Sequence, residues 1–270
     1  MKDATRLVFA LLVLLPVAAL AQSSPSGKDS DSGGWSGSGE FGYAGTRGNS
    51  HTENLNAKLS LKQENALWKN SFYLTGLRSK GDVTVVDANG NSVTRFSTTA
   101  NRYEAGASLG YKISPRSYLV TAGRYDHDNF GSNLWQGVLS IGYGYIALKT
   151  SRSELSFEAG PGYKRYRPAD QVVTFNGITR RIPSQVKDEA VLRALVNWKY
   201  RLTGNTRLEN TLLIEAGSSN KYYQNDTGLS VNMTEKLALK LGYEYRYNST
   251  VEPGVKNADQ LFTTNLVYSF

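Results

Sequence analysis

The 270 residues contain two histidines, His51 and His127, each among groups that could serve acid–base or metal chemistry. Asp126-His127-Asp128-Asn129 has the composition of a metal or proton-transfer cluster. In an extended segment neighbouring side chains point to opposite faces, so these groups do not converge. A solvated loop cap is the plainer reading. Ser50-His51 is a second pairing, and Ser132 follows His127 by five residues with Gly131 between. A lipid-cleaving barrel enzyme needs its serine and histidine within hydrogen-bond reach on one face. Neither spacing meets that need. No cysteine is present, which removes disulfides and thiolate metal sites. The expectation is a non-enzymatic chain with no cofactor, no metal and no catalytic residue, a lipid-modifying enzyme being the third-ranked reading.

A different chemistry is carried by charge at even spacing. Arg102, Glu104 and Lys112 recur on one parity, as do Glu158 and Lys164. So do Arg193, Lys199 and Arg201, and again Lys240, Glu244 and Arg246. Even spacing in a strand puts these side chains on one face. Leu, Tyr, Trp and Ala occupy much of the opposite parity. If that greasy face meets lipid, the charges must line a lumen, since an Arg or Lys on the lipid side at the midplane costs about 2–4 kcal/mol. Pairing across the lumen would make a plugged, rigid barrel. A basic excess lining an open path would favour anions.

The elements that hold these residues are long alternating segments. In the clearest, Leu237, Leu239, Leu241, Tyr243, Tyr245 and Tyr247 alternate with Lys236, Ala238, Lys240, Gly242, Glu244 and Arg246. Residues 101–113, 133–148 and 191–202 repeat the pattern. Weaker segments lie near 35–47, 52–63, 66–78, 116–127, 153–166, 205–217 and 222–233, and in 66–78 and 116–127 the two faces cannot be told apart. The last ten residues place Phe262, Thr264, Leu266, Tyr268 and Phe270 on one face, the pattern of a closing strand with an interfacial ring. A soluble β-sandwich shares the alternation. Its strands cluster near about 5–6 residues, whereas a bilayer needs about 9–11. The fold expected is all-β: a single antiparallel up-and-down transmembrane β-barrel of about twelve strands over residues 35–270.

The connections sort by parity. Every second junction is short, as at Ser114-Pro115-Arg116 and Thr203-Gly204-Asn205, while the alternate set includes long loops near 79–95 and 167–187. Short turns on one side and long loops on the other are the outer-membrane asymmetry. Trp35, Trp68, Tyr111, Trp198, Tyr200, Tyr268 and Phe270 fall at the short-turn ends. Tyr125, Trp135, Tyr163, Tyr222, Tyr223, Tyr245 and Tyr247 fall at the long-loop ends. Two aromatic belts result. Arg165, Arg167, Arg180 and Arg181, around the 167–187 connection, are candidate contacts for lipopolysaccharide phosphates.

Lys2 and Arg6 precede an apolar run from Leu7 to Leu20, and Ala19-Leu20-Ala21 offers small residues at a peptidase site. This reads as a signal peptide, 1–21, cleaved after Ala21, followed by a flexible Ser/Gly/Asp-rich periplasmic leader over 22–34. Its removal takes Lys2, Asp3 and Arg6 and lowers the net charge of +8 by one. The location implied is the outer membrane of a Gram-negative bacterium. Nucleic acid is not an implied partner, because an exported chain with no recognised motif does not use its basic balance that way.

Gly45-Thr46-Arg47-Gly48-Asn49-Ser50, Phe157-Glu158-Ala159-Gly160-Pro161-Gly162-Tyr163 and Tyr247-Asn248-Ser249, with Glu252-Pro253-Gly254, Asp259 and the terminal Leu266-Val267-Tyr268-Ser269-Phe270, carry a resemblance. In order and spacing they are similar to the YdiY-like salt-induced outer membrane protein family, a domain of unknown function, over about Trp35 to Phe270. The resemblance implies an outer-membrane barrel and supplies no catalytic residue. It implies an envelope-structural or salt- and osmotic-stress role; the basic excess of the inward parity keeps a narrow anion-leaning diffusion channel as the alternative. Outer-membrane lipid, the barrel assembly machinery and periplasmic chaperones are the partners expected. The oligomeric state is left open.

Overall fold

The computed structural model describes residues 34–48, 51–87, 90–175, 178–251, 253 and 255–270. The signal peptide and all of the leader except residue 34 lie outside the described residues. No described residue is helical. In chain order the strands are β1 (Trp35–Thr46), β2 (Thr52–Glu64), β3 (Trp68–Val86), β4 (Ser92–Lys112), β5 (Ser117–Asp128), β6 (Asn133–Lys149) and β7 (Ser153–Pro168). A short pair follows, β8 (Gln171–Phe175) and β9 (Ile178–Ile182). Then come β10 (Lys187–Arg201), β11 (Thr206–Gly217), β12 (Lys221–Asn232), β13 (Leu237–Asn248) and β14 (Ala258–Ser269).

Twelve of these close into one antiparallel transmembrane barrel, each strand beside its neighbour in sequence except that β7 pairs with β10 and β14 returns to β1. β8 and β9 form a separate hairpin. Closure leaves the barrel no sheet edge, so no row of backbone groups meets hydrocarbon unpaired. At the seam Gly39 opposes Tyr268 and Phe41 opposes Leu266. Reciprocal bonds between Gly37 and Phe270, 2.9 and 3.0 Å, extend it to the last residue.

The alternation read from sequence is realised as an exposed apolar exterior. Ile141 is 64% exposed and Phe262 75% exposed, while their strand neighbours Ser140 and Asn265 are buried or face inward. There is accordingly little apolar core inside; Tyr118, Val120 and Ile146 form a small buried cluster in the lumen wall.

Two connections expected as long loops are structured. β3 and β4 run for 19 and 21 residues, so their hairpin rises well beyond the about 9–11 residues a bilayer requires. Val85 opposes Val93 in that extension, and Thr84 and Thr94 hydroxyls lie 3.3 Å apart. Its tip turns at Gly90, whose φ of +84° suits a residue without Cβ. The amide of Asn91 donates to the Asp87 carboxylate at 2.9 Å. Polar residues on both faces had hidden the period, as suits a hairpin standing in water. The connection at 167–187 likewise contains β8 and β9, and β7 runs on to Pro168. Arg165 and Arg167 therefore sit on a strand rather than in a loop.

Close packing of β6 on β7 rests on a glycine pair. A Cβ at Gly142 would lie 2.6 Å from the Ala159 carbonyl oxygen, and one at Gly160 would strike the Ile141 carbonyl and the Gly142 Cα. The Gly160-Pro161-Gly162 segment thus has a packing reason for its composition.

Candidate functional site

Charged side chains of the twelve strands meet inside the barrel, where they form one connected lattice near the long-loop end. Arg246 on β13 faces three carboxylates: Glu104 at 2.7 Å, Glu244 at 2.9 Å and Asp126 at 3.4 Å. β13 and β5, which carries Asp126, are diametrically opposed, with five strands between them either way round. Arg102 on β4 reaches Glu244 on β13 at 2.6 Å. Arg124 on β5 grips Glu215 on β11 through two bonds of 3.1 and 2.6 Å. Apart from Arg246–Glu244 within β13, these pairs span the lumen rather than run along its wall. Long Arg and Glu side chains make such reach possible in a small barrel.

Tyrosines complete the lattice. Tyr73 donates to Glu104 at 2.6 Å, and the Arg124 guanidinium lies 4.9 Å from the Tyr222 ring centre. Tyr222, read from sequence as an outer belt residue, points inward and is 1% exposed. The register shows why: its neighbour Tyr223 opposes Tyr247 on the lipid face, and adjacent residues cannot share a face. Lys164 is fully buried, 4.0 Å from Glu189 and 4.9 Å from the Tyr166 ring centre.

Toward the short-turn end the pairing is more open. Lys240 donates twice to Glu40, at 2.8 and 3.0 Å. Glu158 accepts from Tyr118 at 3.0 Å and Arg193 at 3.2 Å. Lys112 meets Glu64 at 2.9 Å, and Lys199 stands 3.8 Å from Glu154. Arg201, at the last position of β10, is exposed at the rim. A cavity of about 170 Å³ beside the lattice is lined by Lys58, Arg102, Glu209, Asp226, Lys240 and Glu244 among others.

Sequence reasoning missed Arg124, Asp126, Tyr73 and Glu189. Arg124 and Tyr73 belong to the two segments whose faces could not be assigned. Asp126 and His127 point oppositely, as neighbours in an extended segment must, and only Asp126 enters the lumen. His127 stacks on Tyr103, with ring centres 4.9 Å apart, and its Nε2 lies 2.9 Å from the Asn129 amide oxygen. His51 stacks on Phe96 at 3.9 Å and is 3.7 Å from Glu53. Ser132 is buried, its hydroxyl without a hydrogen-bond partner. Ser50 lies outside the described residues. Among the described residues no group of three or more His, Asp or Glu is arranged to hold a metal.

Three of the four arginines expected to meet lipopolysaccharide are held by carboxylates. Arg165 is 3.5 Å from Asp188. Arg167 and Arg181 converge on Asp170, at 2.9 and 3.0 Å. Arg180 on β9 makes no ion pair among the described residues. Asp170 also accepts from the Ser184 backbone amide at 3.1 Å, so it ties β7, β9 and the segment leading to β10 together. That amide, assisted by Arg167, holds the Asp170 carboxyl below its usual range. A depressed folded value stabilises the latch above the unfolded value and is lost as pH falls through the folded one. The hairpin should therefore resist proteolysis down to about pH 4 and loosen only below it. Asp170→Asn should expose it to cleavage already at neutral pH; equal cleavage of both proteins would sink this.

Several known proteins resemble the chain. The uncharacterized protein YdiY of Escherichia coli strain K12 is 22% identical over 180 residues, 66% of either chain and so just under two thirds of that protein's length. Among solved structures, the NanC porin covers 87% of this chain and 98% of its own at 14% identity, with a TM-score of 0.42. The translocator domain of the autotransporter NalP from Neisseria meningitidis covers 87% and 86% at 11% identity, TM-score 0.47. An outer-membrane channel of Pseudomonas putida F1 covers 92% and 99% at 12% identity, TM-score 0.44. The model of one family, described as a protein of unknown function, DUF481, matches residues 39–270, and the chain belongs to that family.

Proposed function

We propose that this protein is a non-enzymatic outer-membrane barrel with a structural role in the envelope, its lumen plugged by ion pairs. The carrying observation is the span of those pairs: Arg246 ties β13 to both β4 and β5 across the lumen. Buried pairs are screened by salt far less than exposed ones. A barrel braced from inside would keep its shape as external ionic strength rises, which accords with a salt- or osmotic-stress role. The long-loop end faces outward in this reading. Export with cleavage after Ala21, handling by periplasmic chaperones and the barrel assembly machinery, and a lipopolysaccharide contact centred on Arg180 belong to the same proposal. For that contact Arg165, Arg167 and Arg181 would each have to exchange a carboxylate for a phosphate.

The reading of a narrow anion-leaning channel draws on the short-turn half of the lumen, where Lys58, Lys62, Lys69, Lys112, Lys199 and Lys240 outnumber Glu40, Glu64, Glu154 and Glu209. The plug lies between that vestibule and the loops. Planar-bilayer recording separates the two readings: purified protein should leave the bilayer silent. Stepwise, anion-selective conductance from the unaltered chain would make it a channel instead.

A further inference from the structure

Polar amides on the lipid side of a barrel are out of place, and the wall of β11 to β14 carries three, Asn210, Asn225 and Gln260. Asn210 on β11 and Asn225 on β12 alternate with lumen residues and share the outward parity of Leu208, Leu212 and Tyr223. Both lie well inside their twelve-residue strands. They bond to each other: the Asn210 carboxamide nitrogen donates to the Asn225 oxygen at 3.1 Å and to the Thr227 hydroxyl at 2.8 Å. The Asn225 nitrogen donates back to Asn210 at 3.3 Å, and Thr227 donates to Asn225 at 3.2 Å. The register continues the patch through Tyr243 and Tyr245 on β13 to Phe262 and Gln260 on β14. Elsewhere around the ring a second outward pair, Asn70 on β3 donating to Gln63 on β2 at 2.9 Å, sits beside Trp68. Between the aromatic belts β4 to β7 present Ala105, Ala107, Leu139 and Ile141 to lipid, and no amide among the described residues.

A carboxamide offers two N–H donors and an oxygen with two lone pairs. The internal bonds leave Asn225 one N–H and Asn210 one lone pair, and both residues are partly exposed. Hydrocarbon cannot answer either group. The patch carries no charge, and its unspent donor and acceptor stand side by side. Such a surface complements itself when turned by half a revolution, which is the condition for an isologous two-fold contact. Tyr243, Tyr245 and Phe262 supply the aromatic area such contacts favour.

We propose that the outer wall of β11 to β14 is the contact between two copies of this chain within the membrane, packed about a two-fold axis close to Asn225. This stands on the membrane placement alone, and fails or holds separately from the plugged lumen.

The chain lacks cysteine, so single-cysteine variants report contacts directly. Leu212→Cys, opposite Asn225 in the β11/β12 register, should give a disulfide-linked homodimer on mild oxidation of intact envelopes. Leu74→Cys on β3, diametrically opposite β11, should stay monomeric. Equal yield at both sites, or none at Leu212→Cys, would overturn the proposal. Adding Asn210→Leu and Asn225→Leu to Leu212→Cys should cut the dimer yield about tenfold. An unchanged yield would show that the amides do not make the contact. Were the triple variant to miss insertion, Thr227→Val in the Leu212→Cys chain makes the same comparison, with a smaller but definite loss required.

Discussion

Arg246→Met should destabilise the barrel by about 3–5 kcal/mol, the cost of removing one partner from a buried ion pair. The size of the effect follows from what stays behind. Glu104, Asp126 and Glu244 all point at the vacated position, and Glu104 and Asp126 are buried. Three carboxylates without their cation repel one another and have lost their charge-assisted bonds. Water must enter to relieve them, so the same substitution should turn a silent bilayer into one with brief openings that favour cations. Arg246→Lys keeps the charge but cannot fork to three carboxylates, and should recover part of the stability. Adding Glu104→Gln to Arg246→Met should recover part of it as well, because it removes a stranded charge. Equilibrium unfolding in detergent micelles measures the first effect and single-channel recording the second. A loss below about 1 kcal/mol would mean that the lattice is already hydrated and contributes no more than a surface pair.

Legibility followed how unequal the two faces of each strand are. In β13 one face is Leu and Tyr and the other carries Lys, Glu and Arg, so Lys240, Glu244 and Arg246 could be placed inside from sequence alone. In β3 and β5 the faces are matched in bulk: Phe72 and Leu74 flank inward Tyr73, and Leu119 lies between inward Tyr118 and Val120. Tyrosine serves either face, as a belt anchor or as a lumen donor, and the pattern then carries no sign. Arg124, which sits on β5, was lost with it. What no pattern could give is the pairing itself. Arg124 and Glu215 are 91 positions apart, and their meeting depends on barrel circumference and stagger. The β3–β4 extension was hidden for the converse reason: beyond the bilayer neither face need be apolar. Strand count and lumen polarity were thus readable, while the cross-lumen partners required closure.

Gly160→Val should cost about 3 kcal/mol, the upper end for overpacking, and slow insertion into the membrane. Most overpacked side chains find relief by turning to another rotamer. Here the obstacle is backbone: the Ile141 carbonyl and Gly142 Cα occupy the space a Cβ needs, and a Cβ cannot rotate away. Strands β6 and β7 would have to separate where they are closest, and in a closed barrel that strain passes around the ring. Gly160→Ala should show most of the loss, since the first added carbon makes the clash. Gly123→Ala is the matched control. The nearest atom to its new Cβ would be Leu139 Cδ1 at 3.8 Å, an ordinary contact, so its stability should change by no more than about 0.5 kcal/mol. The heat-dependent mobility shift of folded barrels on gels, followed against temperature, reads all three variants at once. If Gly160→Ala melted with the unaltered chain, β6 and β7 could separate there at no cost, and the Gly160-Pro161-Gly162 segment would need another reason for its glycines.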